Sequence, residues 1–182
     1  MRILLIRHAQ ALGQEPDADL SDEGHVQARA LIPLLAAHGV REVFSSPYRR
    51  AIATVVPFAA SAGIAVQVVD GMRERQLATE LVPDFLVHME RSFADERYRL
   101  EGGESLATTA ARGLEALAHI AQTARSNTPA VASHGNLIAS VLRTMDPGFG
   151  FGAWRTMRNP HVFEVELRDG TPASFCELED IT

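Results

Sequence analysis

Four short polar clusters in the sequence each directly follow an apolar run, and together they hold histidines, arginines and a carboxylate. The clusters are Arg7-His8-Ala9-Gln10, Ser45-Ser46-Pro47-Tyr48-Arg49-Arg50, Asp70-Gly71-Met72-Arg73-Glu74-Arg75 and Ser133-His134-Gly135-Asn136. Guanidinium groups bind the oxygens of an oxyanion in pairs, and an imidazole can act as a nucleophile or exchange a proton. If these clusters meet in the fold, they predict an anion site for which phosphate is the natural ligand.

The apolar runs before these clusters predict the strands that would bring them together. The first run, residues 3–6, is continuously apolar, which is typical of a parallel strand covered on both faces. Further strands are predicted at residues 40–44, 64–69 and 130–132, and helices at 21–39, 47–62, 79–100, 106–121 and 137–142. In open α/β sheets ligands bind beyond the carboxyl ends of the strands, which is where all four clusters would lie.

The alternation of strands and helices predicts a three-layer α/β fold. A mostly parallel central sheet would be flanked by helices, with an antiparallel edge strand formed near the end of the chain by residues 162–167 and 173–178. A chain of 182 residues fits one domain over residues 1–182, with about 75–101 as a lid-like insertion. Residues 146–158 read as a loop rich in glycine and aromatic residues.

Charge and composition exclude several classes of partner. The formal net charge of −6 argues against nucleic acid and anionic membrane surfaces, because both need clustered positive charge. Cys176 is the single cysteine, so the chain has no internal disulfide and no cysteine cluster for zinc. With neither a signal peptide nor a membrane span indicated, we expect a cytoplasmic protein. The sequence makes no prediction of oligomeric state.

Taken in order and spacing, the motifs resemble the histidine phosphatase superfamily, in its phosphoglycerate mutase-like branch, and a small phosphatase member within it. The motifs are Arg7-His8, the run from Ser45 to Thr54, Met72-Arg73-Glu74, Gly103-Glu104-Ser105 and Ser133-His134-Gly135. The run Leu20-Ser21-Asp22-Glu23-Gly24 matches the family's first-helix signature, and Arg112 stands where the family has an arginine after Gly-Glu-Ser. The resemblance covers nearly the whole chain.

The resemblance implies a covalent route for the hydrolysis of phosphomonoesters. His8 would attack phosphorus and become a phosphohistidine, while Glu74 would protonate the leaving alcohol and then act as base toward water. The implied activity needs no metal and no cofactor, because arginines supply the positive charge. The implied partner is a small phosphorylated substrate.

The same resemblance implies which residues bind the phosphoryl group. They are Arg7, Arg50, His134, Gln14 and Gly135. Of the two adjacent arginines, Arg50 matches because it directly precedes Ala51 and lies four residues before Thr54, so Arg49 is predicted to be a surface residue. Ala9 stands where the family usually has glycine, and it would be strained if the backbone there needs a positive φ.

Several alternatives remain open at this point. A phosphoglycerate mutase is one, and a catalytically idle member that binds phosphorylated ligands is another; the short segment between Glu74 and His134 favours hydrolysis over transfer.

Glu104 and Ser105 are predicted to cap the helix that follows them. The side chains of Phe85, Met89, Phe93 and Trp154 either belong to the core or form an apolar wall for the substrate. A sugar phosphate, a nucleotide, phosphoglycerate, α-ribazole phosphate and a phosphohistidine protein all remain candidate substrates.

Overall fold

The structure is a computed structural model that describes residues 1–80 and 82–178. The strands are β1 Arg2–Arg7, β2 Val43–Ser45, β3 Val66–Val68, β4 Ala130–Ser133, β5 His161–Arg168 and β6 Thr171–Glu177. The helices are α1 Asp22–Ala37, α2 Arg49–Ala62, α3 Phe85–Ala94, α4 Leu106–Thr123, α5 Gly135–Met145 and α6 Phe151–Thr156. A single 3-10 turn covers Asp70–Met72. Parts of the predicted domain 1–182 and insertion 75–101, namely residues 81 and 179–182, lie outside the described residues.

All six strands form one sheet in the order β3-β2-β4-β1-β5-β6. Strands β1 to β4 are parallel to one another, whereas β5 is antiparallel to both β1 and β6. The predicted α/β fold with a mostly parallel sheet is therefore confirmed. The strand that runs against the others is β5, one position inside the edge.

The two faces of β1 pack into two separate apolar layers. Ile3 and Leu5 join a cluster with residues of α3, α4 and α5, whereas Leu4 and Ile6 join a cluster with residues of α1 and α2. All four side chains are fully buried. Burial on both faces explains why this strand is continuously apolar rather than alternating.

Local signals in the sequence set several helix ends. The Ser21 hydroxyl accepts a hydrogen bond from the Gly24 amide at 3.1 Å and caps α1, and the Ser105 hydroxyl does the same for Thr108 at 3.1 Å in α4. Gly63 ends α2 with φ 67°, a conformation that glycine adopts without strain. Glu104, next to the cap of α4, serves as an ion-pair partner instead, as described below.

The predicted helix over 79–100 is wrong in its bounds, because α3 covers only Phe85–Ala94. Pro83 removes an amide donor and restricts the residue before it, and Asp84 has φ 52°, so a helix cannot pass through this point. The loop predicted at 146–158 contains the short helix α6. Strands β2 and β3 are three residues each, shorter than predicted. Within residues 1–80 and 82–178, no helix combines the length and apolar character needed to cross a membrane.

Candidate active site

His8 lies just beyond the end of β1, where its main chain is held in place by β4. Its amide donates to the Ser133 carbonyl at 3.0 Å, and its ring Nδ1 lies 2.7 Å from the Ala9 carbonyl. Because a carbonyl oxygen only accepts, Nδ1 carries the proton and Nε2 keeps its lone pair. Burial, with the charges of Arg50 and Arg7, lowers the pKa of His8 to about 4, although the bond to Ala9 acts in the opposite direction. The imidazole is therefore neutral at pH 7, and its Nε2 is nucleophilic.

Arg50, from the first turn of α2, is fully buried beside His8. Its Nε donates to His8 Nε2 at 3.1 Å, and its Nη1 donates to the carbonyl oxygens of Gln14 and Glu15 at 3.0 and 2.9 Å. The neighbouring Arg49 instead extends into solvent and pairs with Asp19 at 2.7 Å. The structure thus places Arg50, and not Arg49, in the site.

Arg7 and His134 complete the cationic and imidazole groups around His8. The His134 ring lies edge-on to the His8 ring, with 5.2 Å between the ring centroids. Burial, together with the charges of Arg50, His8, Arg112 and Arg7, keeps the pKa of His134 well below its usual value. Arg7 is the last residue of β1, and its Nη1 donates to the Met157 carbonyl after α6.

Three buried nitrogen atoms in this group bond to no described residue. They are Arg7 Nε, Arg50 Nη2 and His134 Nδ1. Buried polar atoms in proteins are almost always hydrogen-bonded, so these three are available to a ligand. A tetrahedral oxyanion offers several acceptor oxygens at once, which matches two guanidinium groups and an imidazole.

Glu74, two residues after the 3-10 turn, is bound by backbone amides. Its carboxylate accepts from the amides of Arg75 at 2.8 Å, Leu137 at 3.2 Å and Asn136 at 3.4 Å. The N-terminus of α5, whose amides favour an anion, is therefore directed in part at a carboxylate of this same chain. Burial raises the pKa of Glu74 above its usual value, although the three amides and the charge of Arg50 act in the opposite direction. A carboxyl group with a raised pKa is suited to deliver a proton.

Gln14 and Gly135 contribute in different ways. The Gln14 side chain is exposed, and the contact with the site is its main-chain carbonyl, which accepts from Arg50. At Gly135 an added Cβ would lie 3.3 Å from Arg7 Nε and 3.5 Å from Trp154 Nε1. The missing side chain therefore lets the guanidinium and the indole approach the start of α5 closely.

Sequence reasoning missed several polar groups that hold the nucleophile and its partners. Asn159 Nδ2 donates to the His8 carbonyl at 2.7 Å, and Thr54 Oγ1 accepts from the Ala9 amide at 2.9 Å. Ser46 Oγ lies 2.7 Å from His134 Nε2. Thr54 and Ser46 were present in a recognised motif, but Asn159 follows an irregular loop and carries no local signal.

Ala9 is unstrained, because the described non-glycine residues with positive φ are Asp84 and Asp169.

A buried ion pair supports the segment that carries Glu74. The Arg112 Nε and Nη2 donate to the two oxygens of Glu104 at 2.9 and 2.8 Å. The Arg112 Nη1 also donates to the carbonyls of Gly71 and Arg73 at 2.7 and 3.0 Å. Although burial alone would raise it, the bonds and charge of Arg112 hold the pKa of Glu104 below its usual value. One guanidinium thus ties α4 to the turn before Glu74.

We expect Arg112→Ala to lower the free energy of unfolding by about 3 kcal/mol, because Glu104 loses two donors and two carbonyl oxygens lose Arg112 Nη1. Glu104 would keep only the Gln76 amide at 3.2 Å and the Arg73 guanidinium at 3.8 Å. Urea unfolding measures this loss. Arg2→Ala is the matched control, since Arg2 is 56% exposed and lies 3.4 Å from Glu164. An exposed pair contributes at most about 1 kcal/mol. Equal losses in the two variants would contradict the supporting role of Arg112.

The aromatic residues of the insertion and of α6 divide into two groups. Met89 and Phe93 are buried in the core, whereas Phe85 is 43% exposed and Trp154 is partly exposed. The Phe85 and Trp154 rings are 6.2 Å apart between centroids. Of the four candidates for an apolar wall, Phe85 and Trp154 are the two with exposed surface, and Trp154 is the one that approaches Gly135.

Comparison with known proteins agrees with this geometry. The family model described as the histidine phosphatase superfamily (branch 1) matches residues 3–175. The chain belongs to this superfamily. A relative named glucosyl-3-phosphoglycerate phosphatase, from Mycolicibacterium vanbaalenii, is 30% identical over 97% of this chain and 90% of its own length. Membership and this relative confirm the predicted class of enzyme, a phosphatase.

Solved structures share the fold of this histidine phosphatase. A mycobacterial glucosyl-3-phosphoglycerate phosphatase in complex with inorganic phosphate superposes with a TM-score of 0.77 at 22% identity, covering 98% of this chain and 95% of that one. A histidine-to-alanine mutant of phosphoserine phosphatase from Entamoeba histolytica, in complex with phosphoserine, has a TM-score of 0.74 at 23% identity, with 96% and 95% covered. In the described part of this chain, no three His, Cys, Asp or Glu side chains are grouped so as to hold a metal ion.

Proposed function

We propose that this histidine phosphatase hydrolyses small phosphomonoesters through a phosphohistidine on His8, without a metal. The observation that carries the proposal is the state of the His8 ring. Its Nδ1 proton is bonded to the Ala9 carbonyl, and its pKa is lowered to about 4, so Nε2 presents a lone pair at neutral pH. Guanidinium groups beside that atom favour attack on a phosphorylated substrate.

The first step forms a bond from His8 Nε2 to phosphorus and breaks the bond from phosphorus to the ester oxygen. Arg50 Nε donates a hydrogen bond to His8 Nε2 in the free enzyme. As the substrate enters, it would donate to a phosphoryl oxygen instead. Arg7, Arg50 and His134 would bind the oxygens on which charge accumulates. Glu74, whose raised pKa favours the protonated form, gives its proton to the departing alcohol.

The second step returns the enzyme to its starting state. The Glu74 carboxylate, now ionised, takes a proton from a water molecule as the water oxygen bonds to phosphorus. The bond from phosphorus to His8 Nε2 breaks, and inorganic phosphate leaves. Backbone amides keep the carboxylate in place between its two tasks.

The name of the 30% identical relative makes glucosyl-3-phosphoglycerate the first substrate to test for this chain. 3-Phosphoglycerate and phosphoserine complete a small panel, measured as phosphate release in excess chelator. We expect release to persist under chelation. Conversion of 3-phosphoglycerate to 2-phosphoglycerate without free phosphate would instead favour the mutase.

The free Cys176 supports the proposed cytoplasmic setting.

The covalent intermediate is tested directly by quenching the enzyme during turnover of a labelled ester. A phosphohistidine is labile in acid and stable in alkali, unlike a phosphoserine. We expect such a label in the wild type and in His119→Ala, a control because His119 is exposed on α4. A label that survives acid, or no label at any quench time, would contradict the proposed route.

The pH dependence of kcat/KM should have two limbs. Activity rises as pH increases through the His8 pKa, about 4, because protonated His8 has no lone pair. It falls as pH increases through the raised Glu74 pKa, because the ionised carboxyl group has no proton to give. The pH profiles of kcat/KM for the wild type and Glu74→Gln check this. Ionisation of the substrate affects both profiles in the same way, so a difference between them belongs to Glu74. The alkaline limb should disappear from the variant while the acid limb stays.

A further inference from the structure

Ser46 is fully buried, and the geometry gives hydrogen-bond partners to its amide, its carbonyl and its Oγ. Its amide donates to the Ala132 carbonyl at 2.9 Å, and its carbonyl accepts from the Ser45 hydroxyl at 2.9 Å. Its Oγ accepts from the Tyr48 amide at 3.2 Å and lies 2.7 Å from His134 Nε2. The Ser46 hydroxyl proton is the one group still to be placed.

Only one of the two possible arrangements satisfies the Ser46 hydroxyl group. If His134 Nε2 carried the proton, the Ser46 hydroxyl proton would have no acceptor among the described residues, at a site with no exposure. Buried donors without acceptors are rare and costly. If Ser46 donates to a bare Nε2, the hydroxyl is satisfied and the neutral ring carries its proton on Nδ1.

The tautomer matters because His134 Nδ1 bonds to no described residue. A phosphoryl oxygen is an acceptor and cannot bond to a bare ring nitrogen. We infer that Ser46 is a positioning residue that fixes His134 as its Nδ1-H tautomer, so that the free N-H is presented to the phosphoryl group. This inference rests on the proposed function of the site, but its decisive readout does not depend on turnover.

Two-bond proton–nitrogen NMR spectra of the imidazole side chains measure the tautomer directly. In the wild-type enzyme we expect His134 to show a protonated Nδ1 and a bare Nε2, assigned by the signals that disappear in His134→Gln. In Ser46→Ala this preference should be lost, and kcat should fall roughly 10- to 100-fold, as is usual when a supporting hydrogen bond is removed.

Ser45→Ala is the matched control, because it removes a neighbouring buried hydroxyl that does not touch His134. It should leave the His134 spectrum unchanged. A wild-type spectrum with the proton on Nε2 overturns the inference, and so does an unchanged tautomer in Ser46→Ala. If Ser46→Ala does not fold, the wild-type spectrum decides alone. The spectrum does not depend on turnover. A protein that shows the Nδ1-H tautomer but has no phosphatase activity would contradict the proposed function and leave this inference standing.

A separate observation concerns the edge of the Trp154 indole. The indole ring packs among phenylalanine rings, with Phe151 stacked at 5.5 Å and Phe93 tilted at 6.1 Å between centroids. The Nε1 atom donates to no described residue, and both it and Arg7 Nε lie close to the space above Gly135. The geometry points to Trp154 as a further donor to the phosphoryl oxygen that lies beside Arg7.

Trp154→Phe removes the N-H and keeps an aromatic ring. Calorimetric titration with inorganic phosphate should show a dissociation constant raised roughly tenfold, the usual effect of losing a hydrogen bond to a charged acceptor. Phe151→Leu disturbs the same stack but leaves the donor, and should change the constant less than about twofold. An unchanged constant in Trp154→Phe, or equal changes in both variants, overturns the assignment.

Discussion

His8→Ala is expected to lower kcat by about 10⁴-fold or more, because removing the nucleophile of a covalent route leaves only binding and charge stabilisation. Nothing else in the site can replace Nε2. His134 is neutral and close to His8, but its Nε2 is engaged with Ser46. The variant should still bind phosphate, since Arg7, Arg50 and His134 are unchanged. Phosphate release and calorimetric titration with phosphate measure the two properties separately.

We expect His8→Ala to fold, because main-chain hydrogen bonds hold this position. It is 6% exposed, and its main-chain bonds to Ser133 and Asn159 do not depend on the ring. Circular dichroism and thermal unfolding of the variant provide the control. If His8→Ala retained activity within about tenfold of wild type, well short of the loss expected for a nucleophile, the covalent route would be excluded.

Glu74→Gln is expected to lower kcat/KM, which reports the first step, by about 10²- to 10⁴-fold for alkyl phosphates, the usual contribution of a general acid. The loss should be much smaller for p-nitrophenyl phosphate, because its phenolate leaves without a proton. Glutamine has nearly the same shape and can still accept from the Arg75 and Leu137 amides through its carbonyl oxygen. The ratio between the two substrates therefore separates proton donation from a change in structure.

Glu104→Gln is a matched control for this carboxylate. Glu104 binds Arg112 and contributes to holding the segment 71–76, but it has no assigned role in the chemistry. Its loss should lower stability and affect both substrates equally. An equal loss of kcat/KM for both substrates in Glu74→Gln would contradict the role of Glu74 as the acid of the first step.

Local patterns predicted the parts of the fold that depend on neighbouring residues. The cap residues Ser21 and Ser105 and the terminating Gly63 were readable because each acts within a few positions of itself. The continuous run in β1 likewise indicated burial on both faces. The bounds of α3 were predicted wrongly, because the helical spacing of apolar residues extends to both sides of Pro83. Proline has no amide proton to donate, so the helix is interrupted there in spite of that spacing.

Contacts between distant residues could not be read in this way. The bond from Asn159 to the His8 carbonyl joins positions 151 residues apart, and no periodicity links them. The same holds for the amides of Asn136 and Leu137 that bind Glu74. A helix was predicted directly after the cluster that holds His134, but the sequence did not indicate that a carboxylate of the chain would bind the amides of its first turn.

Helix α5 carries His134 at its N-cap and binds Glu74 through its first turn, and its residues Gly135–Leu142 are buried. One helix thus positions both the residue proposed to bind the oxyanion and the residue proposed to donate the proton. The insertion with α3 contributes none of the residues proposed for the chemistry, and its contact with them is indirect, because Ser92 Oγ accepts from Arg75 at 3.0 Å and the Arg75 amide binds Glu74. We therefore expect that replacing residues 76–101 by the segment of another superfamily member that keeps a serine at the position of Ser92 changes the preferred alcohol and preserves phosphoryl transfer.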